Sequence, residues 1–261
     1  MASESSASGS DNVRWMRRPK GNKRCYDGLE YLLDLDSIFV RQVPDLPETI
    51  GEDIANCYFV LNKDGERIYY AYEISDVGLR KLWGYRRPFN IVVFDRTATE
   101  ILNLYRPLSC DQCCYPCCLQ KMVVTTSTGI LLGKVKQPWG PLWPRLKIED
   151  YRGNIVYNLE GPPCTCSWCF CTGCYNIDAD FFISTTRVRK TIIGRLTKYW
   201  TKFYRETVST DVDNFGMRFP KDINVELKAV LLGACFLLDY MYFEASTKDR
   251  CKRRPICCCC L

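Results

Sequence analysis

Apolar and polar positions alternate with a period of two along most of this chain. Short β-prone runs are broken by Asp-Gly or Gly-Asn turns, as at Asp64-Gly65 within 59–70 and Gly153-Asn154 within 147–156. Alternation of this kind predicts strands with one buried face, and the turns predict hairpins. The succession of such runs indicates an antiparallel meander without crossover helices.

One segment near the C-terminus departs from this pattern. Residues 229–238 carry no charge and are apolar on every face, which is typical of a buried helix. Ten residues reach only about 15 Å, about half of the roughly 30 Å hydrocarbon core of a bilayer. Extension to 225–243 adds Glu226, Lys228 and Asp239, and such charges are costly inside a membrane. The pattern favours a core helix over a membrane span.

The chain also matches itself. A shift of 55 residues aligns 89–107 with 144–162, and a shift of 61 residues aligns 131–139 with 192–200. The first two units both run into a cysteine-rich loop, so we expect these loops, near Cys114 and Cys169, at related places. Repeated strand units around one apolar helix predict a mainly β fold, a closed antiparallel barrel with the helix, over 223–243, in its lumen.

Charge and histidine content limit the classes of function and partner that the chain can have. The chain has no histidine, which removes the usual general base and nucleophile partner, so we do not expect an enzyme. Residues 1–24 carry six basic and two acidic side chains, and residues 245–261 carry five and one. Basic ends on a near-neutral body are typical of contact with an anionic membrane, and nucleic acid is not an expected partner.

The strand pattern and the charge distribution together predict three regions. They are a basic, Ser-rich disordered arm (1–24), a barrel (25–244) and a basic, cysteine-rich tail (245–261). The first ten residues lack an apolar run, so no secretory signal is expected.

The segment 211–222 has the spacing of a calcium loop. Asp211, Asp213 and Asp222 fall on positions 1, 3 and 12, and Gly216 falls on position 6. With few carboxylates, the expected dissociation constant is about 10⁻⁴ to 10⁻³ M. The alternative interpretation is structural: Asp211 shapes a turn, Gly216 takes a positive φ and Asp222 caps the next helix. The calcium hypothesis uses Phe215 and Met217 through backbone carbonyls only, so its ligands are Asp211, Asp213, Phe215, Met217 and Asp222.

Fourteen of the 18 cysteines cluster in 110–118, 164–174 and 257–260. Without a secretory signal they indicate thiols, metal binding or lipidation rather than disulfides. Two Cys-x-x-Cys pairs in each internal cluster would allow a tetrahedral zinc site joining the two loops. In the tail, Lys252, Arg253 and Arg254 precede acceptor thiols, and basic charge with acyl chains is the two-signal pattern of a membrane anchor. The predicted acyl acceptors of the tail are Cys257, Cys258, Cys259 and Cys260.

Five sequence words, 28–32, 104–108, 133–139, 213–216 and 228–241, give the chain a close resemblance to the phospholipid scramblase family over roughly residues 26–244. The resemblance implies calcium-triggered, ATP-independent, bidirectional movement of phospholipids between leaflets. It implies a Tubby-like barrel of about twelve strands. It further implies calcium binding at 211–222, membrane insertion of 225–243 and palmitoylation of Cys113, Cys114, Cys117 and Cys118.

We therefore expect a calcium-responsive phospholipid scramblase at the cytosolic face of the plasma membrane or an organelle. The expected partner is a phospholipid membrane, especially an anionic cytosolic leaflet, and self-association is left open. One alternative is a membrane-tethered barrel that binds anionic lipid without transporting it and serves as a signalling or transcription adaptor. Another is a zinc-stabilised scaffold.

Overall fold

Twelve strands of the described residues close into one barrel. The computed structural model describes residues 14–19, 25–43, 55–109, 119–140, 144–162, 178–186, 190–199 and 214–244. Each strand pairs antiparallel with its neighbours in the chain, and β1 closes the barrel against β12, as the meander pattern predicts. The strands are β1 (Ser37–Gln42), β2 (Cys57–Leu61), β3 (Arg67–Ile74), β4 (Phe89–Phe94), β5 (Glu100–Arg106), β6 (Lys121–Thr126), β7 (Leu131–Lys136), β8 (Arg145–Asp150), β9 (Ile155–Glu160), β10 (Ala179–Thr185), β11 (Ile192–Tyr199) and β12 (Asn214–Arg218).

Antiparallel pairing throughout sends successive connections to opposite ends of the barrel. The connections β2–β3, β4–β5, β6–β7, β8–β9 and β10–β11 are short and share one end, here called the short-turn end. The connections β1–β2, β3–β4, β5–β6, β7–β8, β9–β10 and β11–β12 are longer and share the other, the long-loop end. The two ends therefore differ in both chain length and chemistry.

The turns at the short-turn end are fixed by side-chain oxygens. Oδ1 of Asn62 accepts from the backbone N–H groups of Asp64 and Glu66, both at 2.9 Å. Oδ1 of Asp150 accepts in the same way from the second and fourth residues after it, at 2.9 and 2.8 Å. Gly65 and Gly153 take φ of 75° and 86°, where a side chain would be strained. The predicted turns are confirmed.

The apolar helix fills the barrel lumen. Helix α2 (Val225–Leu238) is buried over nearly its whole length, and a π-helical turn (Asp239–Phe243) continues it towards the long-loop end. At the short-turn end, a 3-10 turn (Leu29–Leu32) is buried in the same core. The predicted lumen helix is confirmed, although its regular part begins at residue 225 rather than 223.

The cap of α2 differs from the expected one. The side chain of Asn224 accepts from the N–H of Glu226 at 2.9 Å, so Asn224, and not Asp222, caps the helix. Asp222 instead lies exposed in the preceding turn.

A second helix was not predicted. Helix α1 (Val77–Trp83) lies in the β3–β4 connection at the long-loop end and buries none of its residues. It joins two antiparallel neighbours, so the meander is kept. Its sequence carries no apolar face of helical period long enough to indicate a packed helix.

Close packing explains why the 61-residue repeat has glycine at equivalent positions. A Cβ on Gly133 in β7 would lie 2.3 Å from the carbonyl oxygen of Glu149 in β8. A Cβ on the equivalent Gly194 in β11 would lie 2.4 Å from the carbonyl oxygen of Arg218 in β12. Both strands therefore need glycine where a neighbouring backbone comes close.

We expect Gly133→Ala to lower the free energy of unfolding by about 2 kcal/mol, because the new methyl group meets a backbone oxygen that cannot move without disturbing the ladder. Gly140→Ala is the matched control, since a Cβ there meets nothing within 4 Å. Urea unfolding followed by circular dichroism measures both. Equal stability of the two variants would contradict the close-packing argument.

Candidate functional site

The predicted calcium segment is occupied in part by a strand. Phe215 and Met217 lie in β12, which is paired on both sides, with Phe215 opposite Val40 of β1 and Lys198 of β11. Their side chains are buried in the barrel core. Their backbone carbonyls thus belong to a strand whose two edges are both occupied.

Gly216 contradicts the alternative interpretation of this segment. It is extended within β12 and does not take a positive φ. A Cβ there would lie 2.7 Å from Cε2 of Tyr199 and 3.1 Å from Cε1 of Phe39. Gly216 is therefore a glycine for space, since aromatic side chains of the neighbouring strands lie against its backbone.

β12 also separates the two halves of the segment. It runs from the long-loop end to the short-turn end, and five extended residues span about 17 Å. Asp222 follows the strand at the short-turn end, whereas Asp211 and Asp213 precede it and lie outside the described residues. The five-ligand calcium set stays a prediction.

A lysine ammonium is held at the short-turn end of the lumen. Lys228, in the first turns of α2, is fully buried. Its Nζ donates to four backbone carbonyls at 2.8–3.0 Å, those of Leu32, Leu33, Leu35 and Lys221. An ammonium has three protons, so the four oxygens share them. This contact ties the helix to the segment before β1 and to the turn after β12.

Burial lowers the pKa of Lys228, while the negative charges of Asp34, Asp36 and Asp222 oppose that shift. Asp222 therefore contributes to the field around a buried ammonium. Glu226, in the first turn of α2, is half-buried at the same end of the barrel.

We expect Lys228→Met to lower the free energy of unfolding by about 3 kcal/mol, because four converging carbonyls lose their donor. Lys221→Met is the matched control, since that side chain is exposed and only its carbonyl takes part. Chemical denaturation compares the two. A Lys228→Met chain as stable as the wild type would show that water replaces the ammonium at no cost.

A buried ionic network lies at the other end of the lumen. Arg87, before β4, forms a two-pronged pair with Glu73 of β3 at 2.5 and 2.7 Å, and both side chains are fully buried. Tyr240 donates its hydroxyl to Glu73 at 2.7 Å, and Arg87 reaches Glu244 at 2.6 Å. Although burial alone raises the pKa of Glu73, the Arg87 pair holds it below its usual value. The end of the lumen helix is thereby fixed to the β3–β4 connection.

Asp239 is held one turn deeper. Tyr58 donates its hydroxyl to Oδ2 of Asp239 at 2.9 Å, and Nζ of Lys198 lies 3.7 Å from Oδ1. The same ammonium sits 4.3 Å from the ring centre of Phe215, within cation–π range. Lys228 and Asp239, two of the three charges within 225–243, thus both have partners in the lumen.

Glu244 titrates in an unusual range. Burial raises its pKa to about 8, despite the opposing charge of Arg87, and 15% of its side chain is exposed. Its Oε1 accepts from Asn56 and Arg87, while Oε2 has no hydrogen-bond partner among the described residues.

Glu244→Gln should remove a pH-dependent loss of stability. The folded pKa lies above the unfolded value of about 4.3, so the folded state binds more protons between the two values and stability falls as pH rises towards 8. Gln keeps the Oε1 acceptor without titrating. We expect it to raise the free energy of unfolding by about 1 kcal/mol at pH 8 and to change it little at pH 4. Denaturation at both pH values measures this, and an unchanged pH slope would contradict the assignment.

The described residues next to the cysteine-rich segments share one end of the barrel. Arg106 and Lys121 bound the first cluster, Glu160 and Ala179 bound the second, and Glu244 precedes the tail. All five lie at the long-loop end. The cysteines themselves, including Cys113, Cys114, Cys117, Cys118, Cys257, Cys258, Cys259 and Cys260, lie outside the described residues, so their acylation and the related placement of the two loops stay predictions.

Within the described part of the chain, the cysteines are Cys25, Cys57 and Cys235, and no three metal-binding side chains come together there. Neither helix of that part reaches the length and hydropathy of a membrane-spanning segment. Residues 225–243, for which the family resemblance implies membrane insertion, form the core of the barrel.

The architecture defines a closed β-barrel built around an apolar helix. A family model described as Scramblase matches residues 16–245, and the chain belongs to this family. It is 40% identical to phospholipid scramblase 2 of Bos taurus over 89% of this chain and 76% of that protein. It is 38% identical to phospholipid scramblase 1 of Homo sapiens over 91% and 72% of the two chains. No solved structure matches the chain.

Proposed function

We propose that this chain moves phospholipids in both directions between the leaflets of a bilayer, in response to Ca²⁺ and without ATP. The observation that carries the proposal is family membership across residues 16–245, with relatives named phospholipid scramblases that match most of their own length. The activity breaks no covalent bond, and it does not require the histidine chemistry that the sequence lacks.

Membrane attachment is proposed at the cytosolic face through acyl chains and basic charge. The proposed acceptors are Cys113, Cys114, Cys117, Cys118 and the four tail cysteines 257–260, and the tail adds five basic side chains. One acyl chain gives only reversible binding, whereas two signals give a stable anchor. β5 and β6, which flank the first cysteine cluster, share the long-loop end with Glu244, the residue before the tail. Zinc is the alternative use of the internal cysteines and predicts stoichiometric zinc after purification without chelator.

Calcium dependence is proposed through Asp211, Asp213 and Asp222. A single ion held by all three carboxylates and by the carbonyls of Phe215 and Met217 requires β12 to leave its ladder, because that strand spans the barrel between Asp213 and Asp222. An ion held by Asp211 and Asp213 alone requires no such change. The two arrangements predict different effects of substitution at Asp222.

The second candidate is a barrel that binds anionic lipid without moving it and acts as a signalling or transcription adaptor. The filled lumen favours it: a Cβ on Gly233 of α2 would lie 2.9 Å from Val124 of β6, and a Cβ on Gly133 of β7 would lie 2.7 Å from Val230 of α2. Helix and wall are thus in direct contact, and a lipid headgroup would have no room between them.

Reconstitution in liposomes with a fluorescent lipid in both leaflets tests the proposal, with dithionite reporting the leaflets. We expect calcium to speed lipid exchange, and Asp211→Asn with Asp213→Asn to reduce the calcium-dependent rate at least about tenfold, since few carboxylates hold the ion. Asp64→Asn, in an exposed turn, is the matched control.

The position of the ion follows from Asp222→Asn in the same assay. A loss equal to that of the double variant supports a site that includes both halves of the segment, and a wild-type rate supports one at the long-loop end. Wild-type chain that binds the vesicles but leaves lipid exchange unchanged with calcium would overturn transport in favour of the adaptor.

A further inference from the structure

Helix α1 is folded without being packed. None of its seven residues is fully buried, and only Leu79 and Arg80 are half-buried, although helices shorter than about 12 residues are marginal without tertiary contacts. Its ends are capped instead: Asp76 accepts from the N–H of Leu79 at 2.9 Å, and Gly84, with φ of 52°, ends the helix and donates to the carbonyl of Arg80. The caps hold a short helix at the surface, so its side chains have no role in the core.

These side chains combine exposed apolar area with basic charge. Leu82 is 74% exposed, Val77 54% and Trp83 40%, and Ile74 at the end of β3 is also exposed. Within 75–86 the basic residues are Arg80, Lys81 and Arg86, against a single acid, Asp76. Four exposed apolar side chains within ten residues of sequence are a concentration typical of an interaction site, and a Trp beside basic residues suits the interface of a membrane.

The position of α1 agrees with this chemistry. Arg87, which follows the helix, is paired with Glu244 at 2.6 Å, and Glu244 is the last residue that the structure describes. The basic tail, 245–261, therefore starts beside α1 at the long-loop end. The positively charged segment 75–86 thus ends where the described chain reaches the tail.

We infer that the α1 surface, defined as Ile74, Val77, Arg80, Lys81, Leu82, Trp83 and Arg86, docks on an anionic phospholipid bilayer. Leu82 and Trp83 enter the headgroup region, and the exposed Lys81 contacts lipid phosphates. Arg80 and Arg86 are half-buried and donate to Ser75 and Tyr85, and they add positive charge beside this contact. The inference rests on the proposed membrane function and adds an orientation to it. The long-loop end faces the bilayer, and the short-turn end points away.

A second copy of the chain is the less suitable occupant. In a two-fold dimer the same patch meets itself, so three basic side chains would face three others with one acid on each side. Like charges across an interface cost several kcal/mol. An anionic lipid surface removes this repulsion and replaces it with attraction.

Co-sedimentation of the full chain, purified without acyl chains, with phosphatidylcholine vesicles containing phosphatidylserine tests the docking. Leu82→Ser with Trp83→Ser should weaken vesicle binding at least about tenfold, because two apolar side chains no longer enter the bilayer. The matched control is Ile130→Ser with Ile192→Ser, which removes two side chains that are 45% and 61% exposed at the short-turn end. It should bind like the wild type.

Equal vesicle binding by the two double variants would overturn the inference while leaving lipid scrambling intact. A wild-type chain that binds no vesicle would overturn the inference alone, because the proposed function attaches the protein through acyl chains and is tested by the lipid-exchange assay. Loss of self-association by the Leu82, Trp83 variant without loss of vesicle binding would overturn lipid docking in favour of a second copy.

Quenching by brominated phosphatidylcholine keeps the test independent of folding in the double variant. Trp83→Phe should remove part of the quenching of the protein's fluorescence, and Trp15→Phe, beside Arg67 at the short-turn end, should remove none. Equal quenching in both variants and the wild type would contradict insertion of Trp83.

Discussion

A closed barrel of this size must have its lumen filled, and here an apolar helix fills it. Charges along the helix are tolerated only at the two ends: Lys228 binds carbonyls at the short-turn end, and Asp239 meets Tyr58 and Lys198 about 16 Å further along. Sliding the helix along the barrel axis would leave both charges buried and unpaired, at a cost of several kcal/mol. The two charges therefore fix the position of the helix along the barrel axis, and the apolar residues between them pack against the barrel wall.

The filled lumen limits how such a protein can act on a bilayer. α2 cannot cross a membrane while it forms the core, because its removal would leave twelve strands around an empty space and expose two paired charges. Any effect on lipids must then come from the outer surface and the ends of the barrel. The long-loop end carries the exposed helix α1 and the flanks of every cysteine cluster, whereas the short-turn end consists of tight, side-chain-capped turns. The asymmetry between the ends is the main functional feature of the fold.

Features that depend on neighbouring residues in the sequence, such as strands and turns, were predictable from sequence patterns. Alternation and turn chemistry gave the strands, and the 61-residue repeat gave the equivalence of Gly133 and Gly194, whose reason is a close backbone contact. The ionic network was not predictable, because the pairing of Glu73 with Arg87 and Glu244 depends on strand register and on where the lumen helix ends. Helix α1 was missed because burial is the signal that sequence periodicity reports, and this helix has none.

The segment 211–222 contains both the spacing of a calcium loop and the strand β12. The free energies of ion binding and of strand pairing can be compared. A calcium site with a dissociation constant of about 10⁻⁴ to 10⁻³ M supplies about 4–5.5 kcal/mol at 1 M ion, and much less at lower concentrations. Taking β12 out of the barrel would expose Phe215 and Met217, at roughly 1.5–3 kcal/mol each, and break a ladder on both sides at about 1 kcal/mol per hydrogen bond. The strand is the stronger pattern. A weakly bound ion is therefore best accommodated by carboxylates on one side of β12, where it can bind without unfolding the wall that holds the helix.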